Sequence, residues 1–598
     1  MSGPTATARP ARAPRPGPGG GRRLPLVLAT ALWLGCSEST PVTVSVAVVG
    51  PEGPCTGARP ALALGDLGAT SLRLTVTGRG EAGATPALVC DEVVDLSGSP
   101  GAADFRIGLD TAPLLDLLVE AFDASQPPRL VAAGTAAGLN RTPRLQPLRA
   151  LLAPAARFGC TPGALQARRA FHTATLLPSG EILVVGGVTH EAPSGAPAAG
   201  SFWLTGAIEV YDPGSGTFRT VAGEVPGGRA LHTAVLLQSP GAAGPFDLLL
   251  MGGLTARTGG TEPALRVGGA SDALPLVPGA GAAGATALVV RYYPWSEPPE
   301  VHIIPASPAL AARALHAAGV SQGQVVLAGG LADPAAGLAG ATPDFEVLPE
   351  AGSSLHRGPF ALQQARVGAV AAPLAADRML VFGGNLGSAD AAAVVTEAAE
   401  VITLGDPPGS ATATFEAGSL DLVASAAHAT LTPIDGGLLL VGGLAVLPGT
   451  ARATRPAPLG LRLTRVGDDV RIDEVLAEAF EPVAYHAAAP LHGGDVLVTG
   501  GAATDCPVAA LCPSDGAHRY SVTTGALARE SWLVTARLAH SLTVRDDGSV
   551  LVAGGLGLDG ASLTALADVE VYVRRSAEGK PDRFGRGAGQ VSDSRCQR

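Results

Sequence analysis

Apolar and polar positions recur along this chain in a fixed order. From Arg169 to Gly187 the sequence reads RAFHTATLLPSGEILVVGG. Phe171 to Leu177 is β-prone, Pro178-Ser179-Gly180 is a turn, and Ile182 to Val185 is a continuous apolar run. That pattern predicts a hairpin whose second strand is covered on both faces. A third strand is predicted at Ala207–Tyr211, closed by the turn Asp212-Pro213-Gly214.

The unit then repeats. Glycine pairs fall at 186–187, 252–253, 329–330, 383–384, 442–443, 500–501 and 554–555, with periods of 54 to 77 residues. A histidine precedes the pair by 13 or 14 residues at His172, His316, His428, His486 and His540. His232 precedes by 20, because Ser239 to Phe246 is inserted in the hairpin turn, and Ala369 replaces the histidine in the fourth unit. An arginine stands three residues ahead of that position at Arg169, Arg229, Arg313, Arg366 and Arg537. Third strands are expected at Ala287–Tyr292, Asp344–Leu348, Ala399–Leu404, Leu459–Thr464, His518–Val522 and Asp568–Val573. The long insertions mostly follow the glycine pairs, so they collect on one face of the array, where loops on a rigid scaffold commonly carry recognition.

The pattern R-x-x-H…L-x-x-G-x-(I/V)-L-V-x-G-G…E-V-Y resembles the kelch repeat of galactose-oxidase-like central domains, over roughly 160–575. The resemblance implies an all-β, seven-bladed kelch-like β-propeller, with first strands and their histidines nearest a central channel. Residues 42–141 hold five strand-like runs separated by Gly, Pro and Asp turns, a pattern that resembles a small immunoglobulin-like β-sandwich. The chain is thus divided into 1–35 (signal), 36–41 (tether), 42–141 (sandwich), 142–575 (propeller) and 576–598 (tail). The outer strand missing from the seventh unit is expected within Arg144 to Phe158.

Ahead of these lies a start rich in Pro, Gly and Ala that carries five arginines and no acid, then the apolar run Leu24–Leu34 and Gly35-Cys36. The run is too short to span a bilayer and reads as a secretory signal. The cysteine after it resembles a bacterial lipobox, which implies Cys36 as lipidation site and a cell-envelope location, as an outer-membrane lipoprotein or at the cell surface. The lipid is then the only membrane attachment. In that oxidising setting the other cysteines, Cys55, Cys90, Cys160, Cys506, Cys512 and Cys596, are disulfide candidates. The expected pairs are Cys55–Cys90 and Cys506–Cys512, with Cys160–Cys596 by elimination.

Charge and composition narrow the function. The net charge is −11 and the aromatic fraction 4%. That argues against a nucleic-acid partner and against a large aromatic sugar cleft. The histidines could suggest a metal ring, but a feature copied into nearly every unit is better explained as a repeated inter-unit hydrogen bond. Tyr485-His486 matches one dipeptide of copper-radical oxidases, without the cysteine or following domain they need. Asp546-Asp547-Gly548 reads as turn chemistry. The expectation is a monomeric, non-catalytic protein- or glycan-binding or structural surface component with no cofactor and no metal. The alternative is a carbohydrate-active enzyme, an oxidase or hydrolase, working at the channel mouth.

Overall fold

The structure is a computed structural model. It describes residues 41–48, 55, 64–78, 87–96, 104–108, 115–136, 148–574 apart from short stretches between strands, and 596–597. The signal segment, Cys36 and Cys506 lie outside the described residues. The described chain is mostly β and has a propeller-like arrangement.

The N-terminal part contains β1 (Pro41–Val48), β2 (Ser71–Gly78), β3 (Ala87–Asp95), β4 (Asp104–Gly108), β5 (Leu115–Phe122), β6 (Leu130–Ala136) and β7 (Leu148–Pro154). They are joined in the order β3-β2-β5-β6-β7-β1-β4, with Cys596–Gln597 added against β4. β7 divides its partners. Residues 148–152 run parallel to β1, and Ala153 and Pro154 pair with β6. β7 therefore belongs to this sheet, and of the stretch Arg144 to Phe158, where the outer strand of the seventh unit was expected, only the end reaches that unit, with Ala155 bridged to Val573 and Phe158 opposite Tyr572.

Seven four-stranded antiparallel units follow. The first is Thr173–Leu176, Ile182–Val185, Ala207–Asp212 and Thr217–Glu224. The next five begin with Thr233–Leu236, Ala317–Ser321, Val370–Ala375, Thr430–Ile434 and Ala487–Pro490. The seventh is Ser541–Val544, Val550–Ala553 and Val569–Tyr572, and its outer strand is β8 (Phe158–Cys160) from the start of the array. The third strand of the sixth unit runs Cys512–Tyr520, earlier than the expected His518–Val522, because it pairs not only with the inner strand but also with Ala502-Ala503 after the glycine pair.

Burial follows the hydrophobic pattern. The runs Ile182–Val185, Val496–Thr499 and Val550–Ala553 are wholly buried, whereas the first strands are half-buried. A second strand of consecutive apolar residues satisfies both sheet faces at once. At the closing seam, Leu130, Ala133 and Ala153 of the N-terminal sheet share one apolar cluster with Ile182 and Val184 of the first unit and Leu551 and Val571 of the seventh. The sheet is thus packed over the junction that β8 completes.

Candidate functional site

The surroundings of the repeated arginines are the most costly part of each unit to build. Arg169, Arg313, Arg366 and Arg537 are fully buried. Each pairs with a glutamate on the third strand of its own unit: Glu209, Glu346, Glu400 and Glu570. Each also donates through Nη1 to the carbonyl of the first glycine of the pair, Gly186, Gly329, Gly383 or Gly554. The glutamate in turn accepts backbone N–H groups from the segment leading into the unit: Gln166 and Ala167 on Glu209, Ala311 on Glu346, Gln363 and Gln364 on Glu400, Val534 and Thr535 on Glu570. A buried ion pair needs additional hydrogen bonds of this kind to offset the desolvation of both charges. Burial pulls the Arg169, Arg313 and Arg366 guanidinium pKa values down, against the attraction of the glutamates.

The histidines pin neighbouring units. His232 Nε2 lies 2.9 Å from Thr173 Oγ1, His316 Nε2 2.9 Å from Thr233 Oγ1, and His486 Nε2 2.8 Å from Thr430 Oγ1. His540 reaches Thr499, and His172 reaches Ser541, which joins the first unit to the last. Nδ1 of all five is buried with no partner. A bare lone pair is tolerated better there than an unpaired N–H, so the proton belongs on Nε2, which donates to the hydroxyl. Burial pushes His232, His316 and His486 down to about 3, and His172 and His540 well below the usual imidazole range.

The glycine pairs are the sockets for these rings. A Cβ at Gly252 would fall 2.5 Å from His316 Cε1 of the next unit, and one at Gly500 2.7 Å from His540 Cε1. Both positions also have positive φ, 60° and 58°, which a side chain would strain.

His428 departs from the pattern. Thr430 pairs with Val441, just as Thr173 pairs with Val185, so the true histidine position in the fifth unit is Ala429. His428 sits one residue earlier, at a position with φ 56° that Phe171, Leu231, Leu315, Gly368, Tyr485 and Ala539 occupy in the other units, all at φ 54–67°. Backbone hydrogen bonds link these seven residues into a belt. Phe171 donates to Ala539, Ala539 to Tyr485, Tyr485 to His428, His428 to Gly368, Gly368 to Leu315, and Leu231 to Phe171. The His428 ring stacks on Tyr485 with centroids 4.6 Å apart and lies against Gly368, where a Cβ would come within 2.5 Å. Tyr485 and His486 therefore have separate duties, one in the belt and one as a pin on Thr430.

Among the described residues, loops of the first, second and seventh units pair with one another. Ser201–Leu204 of the first unit pairs with Leu265–Val267 of the second. Arg229-Ala230, Leu254-Thr255 and Ala282-Ala283 form another small sheet. His190 Nδ1 accepts the Ala565 N–H, linking the loops of units one and seven. Beneath them Val188, Phe202, Leu254, Leu444, Leu538 and Leu556 belong to one apolar cluster.

The cysteines required correction. Cys55 is bonded to Cys160, with Cα atoms 5.4 Å apart, so neither the Cys55–Cys90 nor the Cys160–Cys596 pair forms. The reason is sheet order. Cys55 follows β1, which lies beside β7, and β7 leads into β8 with Cys160. Cys90 is on β3 at the other edge, opposite Val76. Cys596 lies opposite Ile107. Cys512 is in a disulfide whose partner is outside the described residues. Asp547 binds the Ser549 N–H at 2.7 Å and pairs with Arg545, so its carboxylate is committed to the turn. Among the described residues no group of three or more His, Cys, Asp or Glu is placed to hold a metal, and no helix is long and apolar enough to cross a membrane.

No family model matches this chain, and no curated protein matches it. Among solved structures it is similar to a novel fungal alcohol oxidase described as showing catalytic diversity among the AA5 family, in complex with copper. The identity is 13%, over 71% of this chain and 77% of that one, with a TM-score of 0.45.

Proposed function

We propose that this chain is a lipid-anchored, extracytoplasmic, seven-bladed kelch-like propeller behind a small sandwich, and that it binds a protein or glycan without catalysing a reaction. The observation that carries the reading is the loop layer, in which insertions from different units are hydrogen-bonded to one another over an apolar base. A platform ordered before any partner arrives loses less entropy on binding. The repeated arginines, glutamates and histidines have structural partners in most units, which supports a scaffold role for them.

The test screens the purified protein against protein and glycan arrays, beside a variant with residues 188–205 shortened to a tight turn. The reading expects a ligand that the wild type retains and the variant loses. Bound copper with peroxide release on sugars would replace it with the oxidase. Separately, Cys36→Ser should move the protein from the membrane fraction to the soluble one. Unchanged membrane association would end the lipid-anchor proposal.

A further inference from the structure

The second unit breaks the arginine–glutamate arrangement on one side only. Arg229 is 4% exposed and occupies the same place as Arg169, Arg313, Arg366 and Arg537. Its Nη1 donates to the Thr286 carbonyl at 2.9 Å, as Arg169 Nη1 does to Ala207. Two residues after Ala207 comes Glu209, opposite Val184; two residues after Thr286 comes Leu288, opposite Leu250. The glutamate of four other units is therefore a leucine here. Nε of Arg229 is buried with no partner, as is Nε of Arg313, which keeps its glutamate; what sets Arg229 apart is that no carboxylate contributes to its electrostatics.

The leading-in segment differs in the same sense. In the first unit Gln166 and Ala167, three and two residues before the arginine, give their N–H groups to Glu209. The counterparts before Arg229 are Pro226, which has no N–H, and Gly227, whose N–H makes no hydrogen bond among the described residues. Gly227 is exposed, and among the described residues only Ala256, at 3.7 Å, lies near its Cβ position. A cation buried without a counter-charge is unfavourable, and removing one partner of such a pair costs far more than removing both. Yet this guanidinium, although burial pulls it down to about 10, remains charged at neutral pH.

We propose that the second unit binds a small monovalent anion, a carboxylate such as acetate or a halide, between the Arg229 guanidinium and the Gly227 N–H. The anion supplies beside Arg229 the charge that a glutamate carboxylate supplies in four other units, while Leu288 stays packed in its apolar cluster. Charge-assisted hydrogen bonds from a buried guanidinium suit a planar carboxylate best, which favours acetate over chloride.

The experiment measures Tm at constant ionic strength while acetate replaces gluconate, which is too bulky for the position. Wild type should show a rise that grows with the logarithm of acetate concentration, about 1 °C at tenfold the dissociation constant. Leu288→Glu should be more stable than wild type in gluconate and should lose the acetate response, because the chain then supplies its own carboxylate. Arg229→Met should also lose the response. A bromide-soaked crystal of the wild type gives a check that needs no variant, with anomalous density expected beside Arg229. No acetate-dependent rise in the wild type, a response that survives in Leu288→Glu, or no bromide at Arg229 would each overturn the proposal.

Discussion

Lowering the pH from 7 to 5 should loosen the ring by a calculable amount, because its inter-unit pins are neutral histidines. His232, His316 and His486 are held at about 3 by burial, with Arg229 adding to the effect at His232 and Arg313 at His316. An unfolded histidine titrates near 6.5. The folded value is depressed, so the stabilisation is complete above about 6.5 and is lost as pH falls towards about 3. Between pH 7 and pH 5 each such group costs about 2 kcal/mol, a figure that requires only that the folded pKa stay well below 5. Three groups give about 6 kcal/mol, comparable to the whole stability of many domains. Most carboxylates titrate below this window. Urea unfolding followed by tryptophan fluorescence at pH 7, 6 and 5 measures the loss. His316→Gln keeps an N–H for Thr233 but cannot gain a proton; it should be less stable than wild type at pH 7 and lose about 2 kcal/mol less between pH 7 and 5. Equal losses in both proteins, or a midpoint indifferent to pH, would refute the neutral-pin account.

Other outcomes follow from the same geometry. Arg366→Met should cost about 3–5 kcal/mol by leaving Glu400 buried alone, and Arg366→Met with Glu400→Leu should recover much of it, as read by thermal denaturation. Gly368→Ala should destabilise by about 1–3 kcal/mol through its positive φ and the His428 ring, and His428→Ala in that background should restore part of the loss in the same assay. Non-reducing peptide mapping should yield a Cys55–Cys160 peptide, and Cys160→Ser should lower Tm; a Cys160–Cys596 peptide would contradict the bond seen here.

Much of the repeat was legible because apolar runs and glycine pairs report local geometry. Ile182–Val185 must be an inner strand whatever surrounds it. Other features depended on numbers that a spacing cannot carry. Hairpins in different units differ by one residue, so a histidine 14 residues ahead of a glycine pair is a pin at His172 and a belt residue at His428. The glutamates could have been found: Glu209, Glu346, Glu400 and Glu570 occur in units that also carry the arginine, as the second or third residue of the third strand. The disulfide could not, since the closeness of Cys55 to Cys160 depends on β1 lying beside β7, a long-range parallel pairing that no local pattern announces.

The way β8 completes the seventh unit sets a timetable for the newborn chain. Thr161 meets the Val569 carbonyl across a separation of 408 residues. A ribosome therefore makes the last edge of the ring first and must finish almost the whole chain before that edge has somewhere to go. Until then six units can stack while the seam between first and last stays open to proteases and to other chains, and loop closure over that span is slow. The Cys55–Cys160 bond, spanning only 105 residues, can form long before. It would hold the waiting edge beside the N-terminal sheet, so that the final unit docks onto a prepared strand instead of searching for a free end.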